Sequence, residues 1–390
     1  MQNMPLQDIR VLEFGGYISA PYATSMLCAL GAEVVKVERP HVGDDFRRQQ
    51  NDRSPYFIQY NAGKRSLAVD LKDPEGVRLV KALVPRFDVV LENLRPGKLA
   101  ALGLGPSDCS ALRADVVYAS LTGFGNGGPL EQRPAYDTIG QAFGGLYSLL
   151  SEAGSAQLSG TIFADLITGL STTTGVLAAL VGRGRSGEGQ HVETSIMEAV
   201  STLTIDALTQ YFETRQDPTR TSRHPQAQNF CLKTASGEYL AVHLSSSQKF
   251  WRYFADVLQR PELADDPRFV TYAQRCAHYF ELAEIVESEF LTKPASQWEK
   301  LLTDADVPYG PALTMSGYAT HPQTEWLEML EPERSGLSLL RPPWRFNGAR
   351  PARPGVAPRV GQHTREVASE VYDDARIEDL LASGVLFSDG

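Results

Sequence analysis

The chain has 390 residues, 42% of them hydrophobic and 22% charged, and it carries a net charge of −10. This is a globular composition with length for two domains. The acidic balance argues against a generic polyanion binder such as a DNA-coating protein, while leaving room for one local basic pocket.

The first part of the chain alternates between strand and helix signals. IRVLEF (Ile9–Phe14) reads as a buried strand, and APYATSMLCAL (Ala20–Leu30) as a helix that Gly31 stops. EVVKVE (Glu33–Glu38) and SLAVDL (Ser66–Leu71) are further strands, the second followed by a helix from Pro74 to Leu83 with Pro in its tolerated first turn. DVVLENL (Asp88–Leu94) and DVVYASLTGF (Asp115–Phe124) complete the pattern. Strands separated by helices predict a mostly parallel α/β sheet covered on both faces.

The middle of the chain is helical and rich in small residues. DTIGQAFGGLYSLL and SGTIFADLITGLSTTTGVLAALVGR both read as helices, and GEGQHVETSIMEAVSTL as a Gly-rich turn, a short strand and a helix. The run Leu166–Gly182 is broken by Thr, Ser and Gly, so it does not read as a membrane span, and the N-terminus has no secretory pattern. Residues 214–230, polar and basic with two prolines, read as a linker. A smaller domain is expected over 231–313, with a strand in EYLAVHLSS and amphipathic helices in QKFWRYFADVLQ, ELAEIVESEFL and SQWEKLLTDA. VPYGPALT leads back, and residues 314–390 return to the large domain (1–213) through a Pro- and Gly-rich strap and a short last helix in ARIEDLLASGVL.

Several chemistries lack their signatures. The loop GGYISAP does not have the GxGxxG spacing, and no GxxxxGK[ST] loop occurs, which disfavours an NAD enzyme or an NTPase. The four cysteines are far apart and form no cluster with histidine, which argues against a zinc site or a disulfide framework and fits a reducing cytoplasm. One residue stands out. Asp165 is the sole charge at the head of a long apolar helix, and the next is Arg183. It could cap the helix, or it could be a catalytic carboxylate kept ionised by the helix start.

A set of phrases resembles the class III CoA-transferases, relatives of the formyl-CoA, carnitine and succinyl-CoA transferases and of the α-methylacyl-CoA racemases. They are LEFGGYISAPYATSMLCALGAEVVKVERPHVGDDFR, NAGKRSLAVDLK, VVLENLRPGKLAALGLG, YASLTGFGNGGP, RPAYDTIGQAFGGL, FADLITGL, RSGEGQHVETSIMEA, GVAPRVGQHT and IEDLLASGVL, in that order from Leu6 to Leu386. The resemblance implies a Rossmann-like large domain, a small α+β domain and an interlocked homodimer. It implies an acyl-CoA donor and a small carboxylic acid acceptor, with coenzyme A as substrate and product, no metal, no NAD, no nucleic acid and no membrane. It assigns Asp165 as the nucleophile that forms an aspartyl-CoA thioester. The family's racemases carry a His–Asp pair where this chain has Tyr136–Asp137, so Tyr136 favours transfer over α-proton exchange, which stays the enzymatic alternative; a non-catalytic acyl-CoA-binding protein is the other.

By the same resemblance Arg39, Val69, Leu71, Lys72, Asn93 and Leu94 line the nucleotide end of coenzyme A, with Arg95 and Lys98 nearby. Ile18 and Ser19 stand where some transferases have a shielding Gln, and no run of glycines closes over the site. Both departures argue against a formyl-CoA:oxalate enzyme. The loop Leu244–Trp251 and the basic stretch Arg220–His224 are the expected sources of the acceptor pocket.

Overall fold

β-Branched and aliphatic runs of four to six residues, spaced by helices, place the first six strands in one sheet. The computed structural model describes residues 4–48, 54–152, 154–331 and 336–389. The strands are β1 (Arg10–Phe14), β2 (Glu33–Glu38), β3 (Arg65–Val69), β4 (Val89–Glu92), β5 (Val117–Thr122) and β6 (His191–Ser195). All pair in parallel, in the order β3-β2-β1-β4-β5-β6. That order makes the point between β1 and β4 the topological switch of a doubly wound sheet. The α/β class expected from the sequence is the class observed.

The two faces of the sheet bury different sets of residues. One face packs Leu12, Val35, Leu67, Val90 and Tyr118 against the helices Pro74–Leu83, Pro106–Leu112 and Asp374–Ala382. The other packs Val11, Val34, Val89, Leu91 and Ala119 against the helices Ser19–Ala29 and Phe163–Ser186. The second of these is 24 residues long, and by length and composition it could cross a membrane, contrary to the reading of its Thr, Ser and Gly breaks. Here it is a core helix. Its buried residues recur every three or four positions (Asp165, Thr168, Thr172, Val176 and Ala179 among them). Thr168, Thr172 and Thr173 return their hydroxyls to carbonyls four residues back, so small polar side chains enter the interface satisfied. Gly169 lets the helices meet, since a Cβ there would come within 2.8 Å of the Ser19 carbonyl oxygen.

The chain forms two compact units, Met1–Tyr147 with Leu158–Asp206 and Gln323–Gly390, and Ser148–Gln157 with Ala207–Pro322. The second unit holds the antiparallel sheet β7 (Asn229–Lys233), β8 (Tyr239–His243) and β9 (Tyr309–Pro311). Its core gathers Trp251, Phe254, Leu282, Phe290 and Trp298, with the last two rings stacked 4.3 Å apart. The segment 214–230, expected as a linker, belongs to this unit and contains the helix His224–Ala227. VPYGPALT carries β9 instead of simply leading back.

Two further expectations are corrected. The run DTIGQAFGGLYSLL is two helices, Asp137–Phe143 and Leu146–Leu150, broken at Gly144–Gly145, where Gly145 has φ +75° and a Cβ on Gly144 would fall 2.2 Å from a Val200 methyl. The short last helix is followed by β10 (Leu386–Phe387), which adds to the edge of β3 in the antiparallel sense. The strap itself lies on the first unit. Arg47 donates to the Pro358 carbonyl, Gly361 donates to Ser66 Oγ, and Arg353 pairs with Glu331 in a buried contact of 2.8 Å.

Candidate active site

Parallel strands that point the same way deliver their following loops to one edge, and doubly wound sheets use the carboxyl edge at the switch point for ligands. A cavity of about 510 Å³ occupies that edge. Its wall receives Gly15–Tyr17 and Ser19 after β1, Arg39 after β2, Val69–Lys72 from β3 and Asn93–Pro96 after β4. Thr122 and Gly123 come from β5 and the turn after it, Ile196 follows β6, and Arg133–Tyr136 and Asp165 complete it. All these residues belong to the first unit.

Ten of the twelve residues singled out in the sequence therefore lie in one cavity: Ser19, Arg39, Val69, Leu71, Lys72, Asn93, Leu94, Arg95, Tyr136 and Asp165. Ile18 and Lys98 do not line it. Ile18 is buried at the N-cap of the helix Ser19–Ala29, and Lys98 is exposed beyond the lining turn.

The backbone that forms the floor is held by buried charge, which the sequence reading missed. Glu13 accepts from Lys36 Nζ and Lys64 Nζ, each at 2.8 Å, and from Thr24 Oγ1 at 2.7 Å. Lys36 also donates to the Gly15 carbonyl at 2.6 Å and pairs with Asp44 at 2.9 Å. Burial pushes the Glu13 carboxyl up, but the two ammonium groups outweigh it and hold it at about 2. Asp44 in turn accepts the Tyr17 and Phe46 N–H groups, at 3.2 and 2.8 Å, and so helps fix Tyr17 at φ +63°. The visible signal was there: Glu13 and Lys36 are charged residues inside otherwise apolar strands. Asn93 belongs to the same brace. Its side-chain oxygen accepts from Gly16 N, and its nitrogen donates to Gly16 O and Ser19 Oγ, so the amide fixes the loop from the cavity wall.

The helix carrying Asp165 is capped by a different acid. Asp137 Oδ1 accepts from the N–H groups of Ala164 and Asp165, at 2.8 and 3.1 Å. The Gln141 amide donates to Asp137 Oδ2 and to the Thr161 carbonyl, and Ser159 Oγ donates to Gln141 Oε1. The capping role weighed for Asp165 is thus taken by Asp137, and among the described residues no hydrogen bond reaches the Asp165 carboxylate. The expected ionisation by the helix start is also corrected: burial first, then the Asp137 charge, raise the Asp165 carboxyl to about 7. A carboxylate that is desolvated, unbonded and open to a cavity is a reactive nucleophile when it is ionised.

This arrangement sets a pH dependence. If the ionised form attacks, kcat/KM for an acyl-CoA falls about tenfold per pH unit below pH 7. Asp137→Asn removes the repulsion that adds to burial in raising Asp165, so the acidic limb is expected to move lower. A pH profile of both proteins checks this; an unmoved limb removes Asp137 from the account.

The cavity wall carries both cations and acids: Arg39 follows β2, Lys72 follows β3 and Arg95 follows β4, and Asp165 and Tyr136 line the same space. Arg39 pairs with Asp45 and donates to the Gly43 carbonyl; Lys72 and Arg95 form no ion pair among the described residues. The Tyr17 and Tyr136 rings meet edge to face, 5.5 Å apart. Cations and a desolvated carboxylate in one cavity suit a ligand that carries both phosphates and a reactive acyl group.

Comparison with known proteins agrees with this chemistry. The model of CoA-transferase family III matches residues 6–364. Succinyl-CoA:glutarate CoA-transferase of Mus musculus is 33% identical, over 98% of this chain and 90% of the relative. Acetyl-CoA:oxalate CoA-transferase of Acetobacter aceti is 33% identical, over 84% of this chain and 85% of the relative. The crystal structure of a CAIB/BAIF family protein from Brucella suis superposes with a TM-score of 0.83 at 31% identity, covering 95% of this chain and all of that one. The chain belongs to CoA-transferase family III.

Proposed function

We propose that the protein moves coenzyme A from an acyl-CoA to a free carboxylic acid through covalent intermediates on Asp165. The observation that carries this reading is the Asp165 carboxylate, buried in the cavity wall with its helix N–H groups already taken by Asp137. An Asp165 carboxylate oxygen attacks the thioester carbon, the C–S bond breaks, and a mixed anhydride and CoA thiolate result. The thiolate attacks the Asp165 carbonyl carbon, releasing the donor acid and leaving an aspartyl-CoA thioester. The acceptor carboxylate attacks that thioester to give a second anhydride, and the thiolate attacks the acceptor's carbonyl carbon, which frees Asp165. Each step exchanges one activated acyl bond for another, so no nucleotide hydrolysis is required.

Arg39, Lys72 and Arg95 are the groups we assign to the phosphates. Arg39 would exchange Asp45 for a phosphate. The names of the glutarate and oxalate enzymes point to a dicarboxylic acid as acceptor here as well. Tyr136 at the position of the racemase histidine supports transfer, because a phenol with a usual pKa near 10 is a poor acid–base partner at neutral pH.

The interlocked homodimer belongs to the same reading. Its support is the helix Ile205–Thr214, which buries no residue of its own and exposes Ile205, Leu208 and Phe212. Light scattering on the purified protein tests this part. The chemistry is tested by incubating the protein with succinyl-CoA, acetyl-CoA or formyl-CoA and free acids, and separating the CoA esters by chromatography. New acyl-CoA at constant total thioester supports transfer; loss of thioester to free CoA points to hydrolysis. Deuterium entering the α-carbon of a donor without exchange of acids would favour the racemase alternative.

A further inference from the structure

Arg133 lines the cavity, yet its guanidinium is in no ion pair or side-chain hydrogen bond among the described residues. It lies 5.2 Å from the centre of the Phe143 ring, which packs on Phe124 at 4.9 Å. Its position along the cavity is fixed by its neighbours. Ala135 is packed against Gly123 after β5, where an added Cβ would fall 2.6 Å from the Ala135 Cβ. Phe143 is on the helix Asp137–Phe143, whose first residue caps the helix of Asp165. Arg133 thus lies four residues before the acid that holds the Asp165 helix. The β3 end, with Lys72, is four strand positions from β5, or about 19 Å away. Arg133 is therefore poorly placed for a phosphate held at Lys72 and, sharing the cavity wall with Asp165, well placed for a charge carried by the reacting acid.

Resting on the transfer reading above, we infer that Arg133 receives the remote carboxylate of a dicarboxylic acceptor whose other carboxylate reacts at Asp165. A guanidinium matches a carboxylate with two parallel N–H donors, and an aromatic face beneath it keeps the fork in plane. Glu131 lines the same cavity two residues away and repels the same group, so Arg133 is what makes a doubly charged acid acceptable there.

The test compares glutarate with pentanoate, acids of equal chain length with and without the second charge. In a double-displacement scheme kcat/KM for the acceptor reports only the second half-reaction, so any donor that labels Asp165 serves. In Arg133→Met the glutarate-to-pentanoate ratio of kcat/KM is expected to fall about 10- to 100-fold, chiefly through KM for glutarate. Arg133→Lys recovers part of the ratio, and Glu131→Gln raises it. An unchanged ratio in Arg133→Met, whether or not both values fall together, overturns the inference. A wild-type protein that no acyl-CoA labels at Asp165 defeats the underlying reading; one that is labelled but shows no preference for glutarate defeats the Arg133 assignment alone.

Discussion

Asp165→Asn is expected to lower acyl transfer by on the order of 10⁴-fold or more, as losses of a covalent nucleophile do. It is not expected to cost stability. The Asp165 carboxylate holds no hydrogen bond among the described residues, so its removal strands no donor, and Asp137 keeps the helix N-terminus capped. The sign of the stability effect follows from the raised carboxyl. Its folded value, about 7, lies above the ordinary 3.8, so the folded protein binds the extra proton between those values. The penalty for this carboxyl is absent near pH 4, grows as pH rises and is complete above about 7, at up to roughly 4 kcal/mol. Urea unfolding is therefore expected to show the Asn variant equal to wild type near pH 4 and more stable at pH 8. A variant that is inactive but also less stable at pH 8 would mean that Asp165 is structural.

The second large effect is predicted at Lys36, a residue that does not enter the reaction. Lys36→Met removes one ammonium from a fully buried group of two lysines, Glu13 and Asp44, and leaves two carboxylates facing one remaining cation. Breaking a buried pair by deleting one partner costs about 3–5 kcal/mol. It also frees the Gly15 carbonyl and loosens Asp44, which orders Tyr17. The expected outcome is a strongly lowered denaturation midpoint, together with weaker CoA binding by calorimetry at temperatures where the variant is still folded. The double variant Lys36→Met with Asp44→Asn should regain part of the stability, because the carboxylate left without a cation is gone while Glu13 keeps Lys64. A single variant as stable as wild type would show that the brace contributes little.

The sheet was legible because its signal is local. Runs such as EVVKVE announce themselves by burial period and β-branching, and the helix over Pro74–Leu83 by its proline and its apolar face. Where the sequence reading went astray, distant residues decided. Gly144 reads as a tolerable helix interior until Val200 is packed against it. β10 is two residues long and exists because β3 offers an edge 317 residues earlier, between Val69 and Leu386. The segment VPYGPALT becomes a strand only beside β8.

The site was legible in part for the same reason. Asp165 and the turns after the strands could be placed from motif and order, since a parallel sheet brings strand ends to one edge. The roles of individual side chains were less visible. Asn93, expected as a ligand contact, lines the cavity and also braces Gly16 and Ser19. Asp137, read as the companion of Tyr136 in a motif, turns out to hold the Asp165 helix and, after burial, to raise the Asp165 carboxyl. Neither role follows from spacing along the chain, because each depends on hydrogen bonds that span 27 or more residues.

The central claim is that Asp165 becomes covalently attached to the CoA ester. The measurement that tests it most directly is peptide mapping by mass spectrometry after mixing the protein with acetyl-, succinyl-, formyl- and cinnamoyl-CoA, with and without hydroxylamine. The account predicts a hydroxamate on the peptide containing Asp165 with at least one of these donors, absent from Asp165→Ala. CoA exchange between esters and acids that proceeds with Asp165 unmodified, or a hydroxamate on another carboxylate, would contradict it.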